Sequence, residues 1–112
     1  MNDLITWNDF EKIDIRSGTI MAAELFEGLN NPAFKLEIDF GDLGIKNSSA
    51  QLTKLYTAEE LKGKQIIAVV NFPPKQIRNF FSECLVIGVY GNDREVTLLS
   101  VDKPVVNGSK IG

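Results

Sequence analysis

Histidine is missing from this 112-residue chain, and with it go the usual general base, the commonest metal ligand and every Ser-His or Cys-His couple. No enzymatic activity, metal site or cofactor is expected on that ground. Cysteine occurs once, at Cys84, so no internal disulfide can form, in keeping with a reducing compartment. No apolar run approaches the roughly 18 residues of a membrane span. Residues 1–11 carry acids and no basic side chain, unlike a secretory signal or an Arg-rich transit peptide. A cytoplasmic location without membrane insertion is expected. Basic residues are also in deficit, 12 Lys and Arg against 15 Asp and Glu, too few for a protein that coats DNA with cations spread over its surface.

The deficit is uneven along the chain. Residues 1–62 hold 6 basic and 11 acidic side chains, net −5, whereas residues 63–112 hold 6 and 4, net +2. A local basic patch can therefore exist on an acidic protein. The apolar fraction of 44% is ordinary for a globular domain, and the length suffices for one core but not two. A single domain over residues 1–112 follows, with no repeat, low-complexity tract or linker to divide it.

Alternation is clearest in FKLEIDF, where Phe34, Leu36, Ile38 and Phe40 share one parity and Lys35, Glu37 and Asp39 the other, the pattern of a half-buried strand. In IDIRSGTIMAA, Ile13 and Ile15 lie on one parity and Ile20 and Ala22 on the other, which predicts a strand with a bulge or bend at Gly18. IIAVVNF, CLVIGVY and VTLLSV are short β-branched runs bounded by turn residues and read as further strands. Thr57 and Glu60 spell a capping box ahead of Leu61, with Gly63 placed as a stop. Thr6 and Asp9 repeat the signal more weakly. Asn107-Gly108 has the chemistry of a tight hairpin turn. With an extended piece around IKNSSAQ, the order is three strands, a short helix, then two or three strands. That is an all-β chain: an OB-fold five-stranded Greek-key barrel with short helices and terminal extensions.

In that register FEGLNNPA joins strands one and two, and NFPPKQIRNFFSE joins strands four and five. These are the loops with which OB-folds hold ligands. Pro73 and Pro74 lack an amide donor and fix φ, so the chain must leave the ladder after Phe72 on a stiff path. Stiffness lowers the entropy lost when a partner is gripped. Lys75 and Arg78 supply cations there, while Phe72, Phe80 and Phe81 supply faces that stack on bases or cover apolar side chains. Elsewhere the readings are structural. Glu37 and Asp39 form a solvated face rather than a cation site, Cys84 is inert core, and the glycines of GDLG make a turn rather than a phosphate loop. Ser48 and Ser49 read as hydrated strand-edge residues, and Trp7 as packed.

The blocks FEKIDIRSGTI, IDFGDLGIKNSSAQLT, QIIAVVNFPPKQI and SECLVIG, in this order and spacing, resemble the family of secretion-related bacterial chaperones built as a stand-alone tRNA-binding domain. Its more distant relatives are appended domains of methionyl- and phenylalanyl-tRNA synthetases, and the likeness covers essentially the whole chain. The resemblance implies an OB-fold homodimer whose N-terminal helix and C-terminal extension help bury the interface. It further implies binding of unfolded or precursor polypeptides, contact with the export machinery, and an ancestral capacity for tRNA. The alternative function is that of a structure-specific tRNA-binding protein. The family's polar and basic features fall here on Lys46, Ser48, Asn71, Lys75, Arg78, Ser82 and Glu83. Phe72, Phe80 and Phe81 complete the candidate peptide- or RNA-binding set on the physical reading alone. Two positions depart from the pattern. Asn79 stands where the family commonly has glycine, and asparagine can still occupy a left-handed conformation at modest cost. Cys84-Leu85 replaces the glycine and methionine frequent in tRNA-binding relatives.

Overall fold

In the computed structural model, which describes residues 3–112, alternation builds the sheet. Ile15–Phe26 (β1) and Ala33–Asp39 (β2) pair antiparallel, with Ile20 opposite Ile38 and Ala23 opposite Leu36. The apolar parity of both strands thus lands on one face. Ile45–Ala50 (β3) extends the sheet beyond β2, and Gln65–Val69 (β4) lies along the other side of β1. Lys75–Ile77 (β5) and Phe80–Ser82 (β6) form a separate hairpin. Leu85–Val86 (β7) returns to β4 and completes a five-stranded sheet of order β3-β2-β1-β4-β7. Gly88–Tyr90 (β8) and Val96–Leu98 (β9) make a second hairpin. The sheet curls around Ile20, Leu36, Ile38, Phe40, Leu61 and Ile66, all fully buried, into an OB-type half-barrel.

Between β3 and β4 stands the expected short helix, Ala58–Leu61 (α2). The Thr57 hydroxyl accepts from the Glu60 N–H at 3.2 Å, and the Glu60 carboxylate accepts from the Thr57 N–H at 2.8 Å, so two of the helix's orphan donors are satisfied. Gly63, at φ +92°, stops it, and Leu61 drops into the core. The N-terminal helix Trp7–Glu11 (α1) carries the same box between Thr6 and Asp9 but buries none of its residues. Trp7, read from the sequence as packed, is 81% exposed.

Three further expectations are corrected. The register of β1 against β2 shifts between Ile20 and Ala22, so the bulge falls at Met21 and not at Gly18. Gly18 is buried where a Cβ would come within 2.7 Å of the Phe40 ring; the glycine makes room for an aromatic rather than for a bend. The run CLVIGVY divides at Ile87, whose N–H donates to the Ile67 carbonyl at 2.9 Å while its own carbonyl accepts from Leu99 at 3.2 Å. The chain thus changes partner within one apolar run. Asn107-Gly108 does form a turn, with Gly108 at φ +85°, but the turn docks on β1 instead of joining two strands. Gly108 N–H donates to the Ser17 carbonyl at 2.8 Å, Ser17 N–H to Ser109 at 3.0 Å, and Ile111 N–H to Ile15 at 2.9 Å. The C-terminal extension is thereby stitched along the first residues of β1, where β2 does not pair.

Candidate ligand-binding surface

Asn71 fixes the point where the chain leaves the sheet. Its Nδ2 donates to the Lys12 carbonyl at 2.7 Å and its Oδ1 accepts from the Asp14 N–H at 3.0 Å. After Pro73-Pro74 the chain turns back on itself, a hairpin the sequence did not signal, with Lys75 opposite Ser82 and Ile77 opposite Phe80. The left-handed residue of its two-residue connection is Arg78, at φ +56°, and not Asn79. Arg78 reaches across to the β1–β2 loop, residues 27–32, and its guanidinium donates to the Gly28 carbonyl. Phe80 meets Phe26 edge-on, with ring centroids 5.5 Å apart, and the Lys35 ammonium lies 4.7 Å from the Phe26 centroid and 5.7 Å from that of Phe80. The hairpin is therefore braced on the outer face of the sheet, where Glu24, Lys35, Glu37, Asn47 and Phe80 border a groove of about 470 Å³.

At the base of the hairpin the side chains turn outward. Phe72 and Leu85 stay about half exposed, at 53% and 51%, and Phe81, 51% exposed, projects from the other face of the hairpin with Gln76. Phe72, Pro73, Lys75, Ser82, Cys84 and Leu85 line a depression of about 300 Å³. Among the described residues the ion pairs are Arg16–Asp14 and Lys54–Asp93, so neither Lys75 nor Arg78 is matched to an acid. An apolar face and the unneutralised Lys75 thus lie side by side.

The remaining predicted site residues are occupied inside the fold. Ser48 is buried, not a hydrated edge residue as read from the sequence, and its hydroxyl donates to the Cys84 carbonyl at 3.0 Å. Ser82 Oγ accepts from the Ser49 N–H at 3.2 Å. Glu83 bonds Asn47 twice, its N–H donating to the Asn47 carbonyl and its carboxylate accepting from the Asn47 N–H, each at 2.8 Å. Together these bonds draw β3 to residues 82–84 and close the barrel without a ladder. Lys46 is half-buried near the seam. Burial pushes the Cys84 thiol up to about 11, against the opposing effects of the Ser48 hydrogen bond and the Lys46 charge, so the thiol is protonated and inert at neutral pH. Leu85 and Lys35 belong to the surface as well. Neither carries a local sequence signal, because one is set by where β7 starts and the other by rings from two distant strands.

A second apolar feature lies apart from the hairpin. Ile5, Trp7 and Phe10 of the N-terminal segment border an open groove of about 830 Å³ that ends at Gly112. Among the described residues no His, Cys, Asp or Glu cluster could hold a metal ion, and no helix is long and apolar enough to cross a membrane.

A curled five-stranded sheet, a capped helix between β3 and β4, and an aromatic and basic hairpin braced on the β1–β2 loop define a binding module of the OB class. The chain belongs to the putative tRNA binding domain family, which it matches over residues 15–110. Its similarity to two solved structures is fuller still. It is 48% identical to chaperone CsaA of Bacillus anthracis, with a TM-score of 0.94 over 98% of this chain and all of that one. To the CsaA chaperone protein of Picrophilus torridus it is 55% identical, with a TM-score of 0.90 over 97% of this chain and all of that one. Among curated proteins, the methionine–tRNA ligase of Leptospira biflexa is 35% identical over 104 residues, or 93% of this chain. The chain spans 15% of that ligase's length. The likeness carried by the four sequence blocks thus extends to the whole fold.

Proposed function

We propose that the chain is a CsaA-like chaperone: a non-enzymatic, cytoplasmic homodimer that binds unfolded or precursor polypeptides and passes them to the export machinery. The observation that carries this reading is the apolar depression at the base of the β5–β6 hairpin, with Phe72 and Leu85 turned outward beside Lys75. An extended client can lay apolar side chains there. Covering the exposed half of one such ring contributes about 1 kcal/mol, so several weak contacts give a grip that folding or transfer of the client can break without ATP. The full-length likeness to two proteins bearing the chaperone name supports the same reading. The test is competition at physiological salt between a labelled unfolded precursor segment and total tRNA for the purified protein. The precursor segment is expected to bind and to be protected from aggregation; absence of both effects would end the proposal.

A second reading, structure-specific tRNA binding, is favoured by the family match and by two cations, Lys75 and Arg78, without acidic partners among the described residues. Phosphate contacts give an affinity that falls steeply with salt. Replacing both cations by alanine should weaken tRNA binding and flatten the salt slope by about 2. Affinity indifferent to salt would count against it.

A further inference from the structure

Two arginines occupy backbone conformations that a long side chain disfavours, and both reach for the same loop. Arg78 has φ +56° and Arg94 φ +63°, in the left-handed region where a Cβ meets the following carbonyl. Arg94 is at the tip of the β8–β9 hairpin. There the Glu95 N–H donates to the Asn92 carbonyl at 3.0 Å, and the two residues between them, Asp93 at φ +52° and Arg94, are both left-handed. Such a turn favours Asn-Gly or Asp-Gly, so Arg94 stands at a glycine position. Arg78 holds the corresponding tip of the β5–β6 hairpin. Their side chains converge: Arg78 donates to the Gly28 carbonyl and Arg94 to the Asn31 side-chain oxygen. The β1–β2 loop is thus held at two points by guanidinium groups. Lys54, from the turn after β3, joins Arg94, since Asn31, Pro32, Gln51, Thr53, Lys54 and Arg94 line one small recess. Its ammonium is shared with Asp93 at 3.5 Å.

Glycine would serve either turn with less strain, so what arginine adds is the guanidinium. One bond to the loop uses one of five N–H donors, and no acid among the described residues pairs with either arginine. Both side chains lie in exposed positions. Strained residues cluster where a site needs a fixed group, and a planar cationic fork grips the paired oxygens of a phosphate, as of a carboxylate, bidentately. The recess, about 20 Å³, is too small to seat an apolar side chain of a protein partner, whereas contacts to a nucleic-acid backbone need charge and N–H groups alone.

We propose that Arg78, Arg94 and Lys54 form a cationic rim around the β1–β2 loop that takes phosphate groups of a folded RNA, on a surface distinct from the apolar depression at the base of the β5–β6 hairpin. The inference rests on the second reading above, that of tRNA binding. Lys75 lines the depression, whereas the rim does not, so the rim's share of RNA binding is separable from polypeptide binding by mutation. Arg94→Gly removes the guanidinium and relaxes the turn, so the thermal midpoint should hold or rise; Arg94→Gln removes the charge while keeping a polar side chain beside Asn31. Each is measured for binding of total tRNA between 50 and 200 mM salt, on the order of the range over which phosphate contacts are felt, and in parallel for binding of an unfolded precursor segment. Both variants should bind tRNA roughly tenfold more weakly and lose about 1 from the salt slope, with polypeptide affinity unchanged. If the wild type binds tRNA with a salt slope and both variants match it, the rim is overturned and the RNA reading stands. If the wild type shows no tRNA binding at any salt, both fall. Parallel loss of tRNA and polypeptide binding in a folded variant would contradict the separation of the two surfaces.

Discussion

Cys84 shows how much one side chain owes to its surroundings. Its thiol sits under the barrel seam, and burial raises it from about 9 to about 11. The folded state therefore holds this proton more tightly than the unfolded chain does. The stability so gained is fully present below pH 9 and is lost as pH rises through 11, a loss of roughly 2–3 kcal/mol at most. Urea denaturation of wild type and Cys84→Ala across this window should show the wild type losing stability relative to the variant. A difference flat from neutral pH to pH 11 would contradict the burial argument. That Cys84 is inert was legible, because it opens an apolar strand without histidine nearby. The task of Gly18 was not: the Phe40 ring that excludes a Cβ there lies 22 positions along the chain, brought over by strand pairing.

Elements were legible where their determinants are local. The α2 helix is written in Thr57, Glu60, Leu61 and Gly63, all within one turn or two, and its cap forms as spelled. The β2 strand is written in its own alternation. The β5–β6 hairpin has no such local text, since its three-residue strands are braced by Phe26 and Gly28 from the β1–β2 end of the sheet. The seam depends likewise on partners about 36 positions apart. Ser48, Ser82 and Glu83 therefore looked like surface polar residues while acting as closure bonds. Glu83→Ala leaves the Asn47 N–H without its acceptor and should cost about 1–2 kcal/mol of stability, whereas Glu83→Gln keeps an acceptor and should cost less. Equal midpoints for wild type and Glu83→Ala in denaturant would remove Glu83 from the seam.

At the scale of the molecule, the two ends of the chain raise the question of assembly. Leu4, Ile5 and Trp7 are exposed at 99%, 71% and 81%, three large apolar side chains left in water within four positions. In the proposed homodimer a second copy covers this end. Sedimentation should then give a dimer for the wild type and a monomer for Trp7→Asp; a wild type monomeric at all concentrations would contradict it. The helix between the third and fourth strands was legible in the sequence; that Phe80 packs on Phe26 against the outer face of the sheet was not. Which polar residues face a ligand was not, because exposure is decided by closure of the whole sheet. The account stands most directly on the apolar base of the β5–β6 hairpin. The measurement that tests it is the affinity of a labelled unfolded precursor segment for the Phe72→Ser, Leu85→Ser double variant, with the circular dichroism spectrum as a check on the fold. Affinity should drop roughly tenfold or more with the spectrum unchanged; wild-type affinity in a correctly folded double variant would contradict the account.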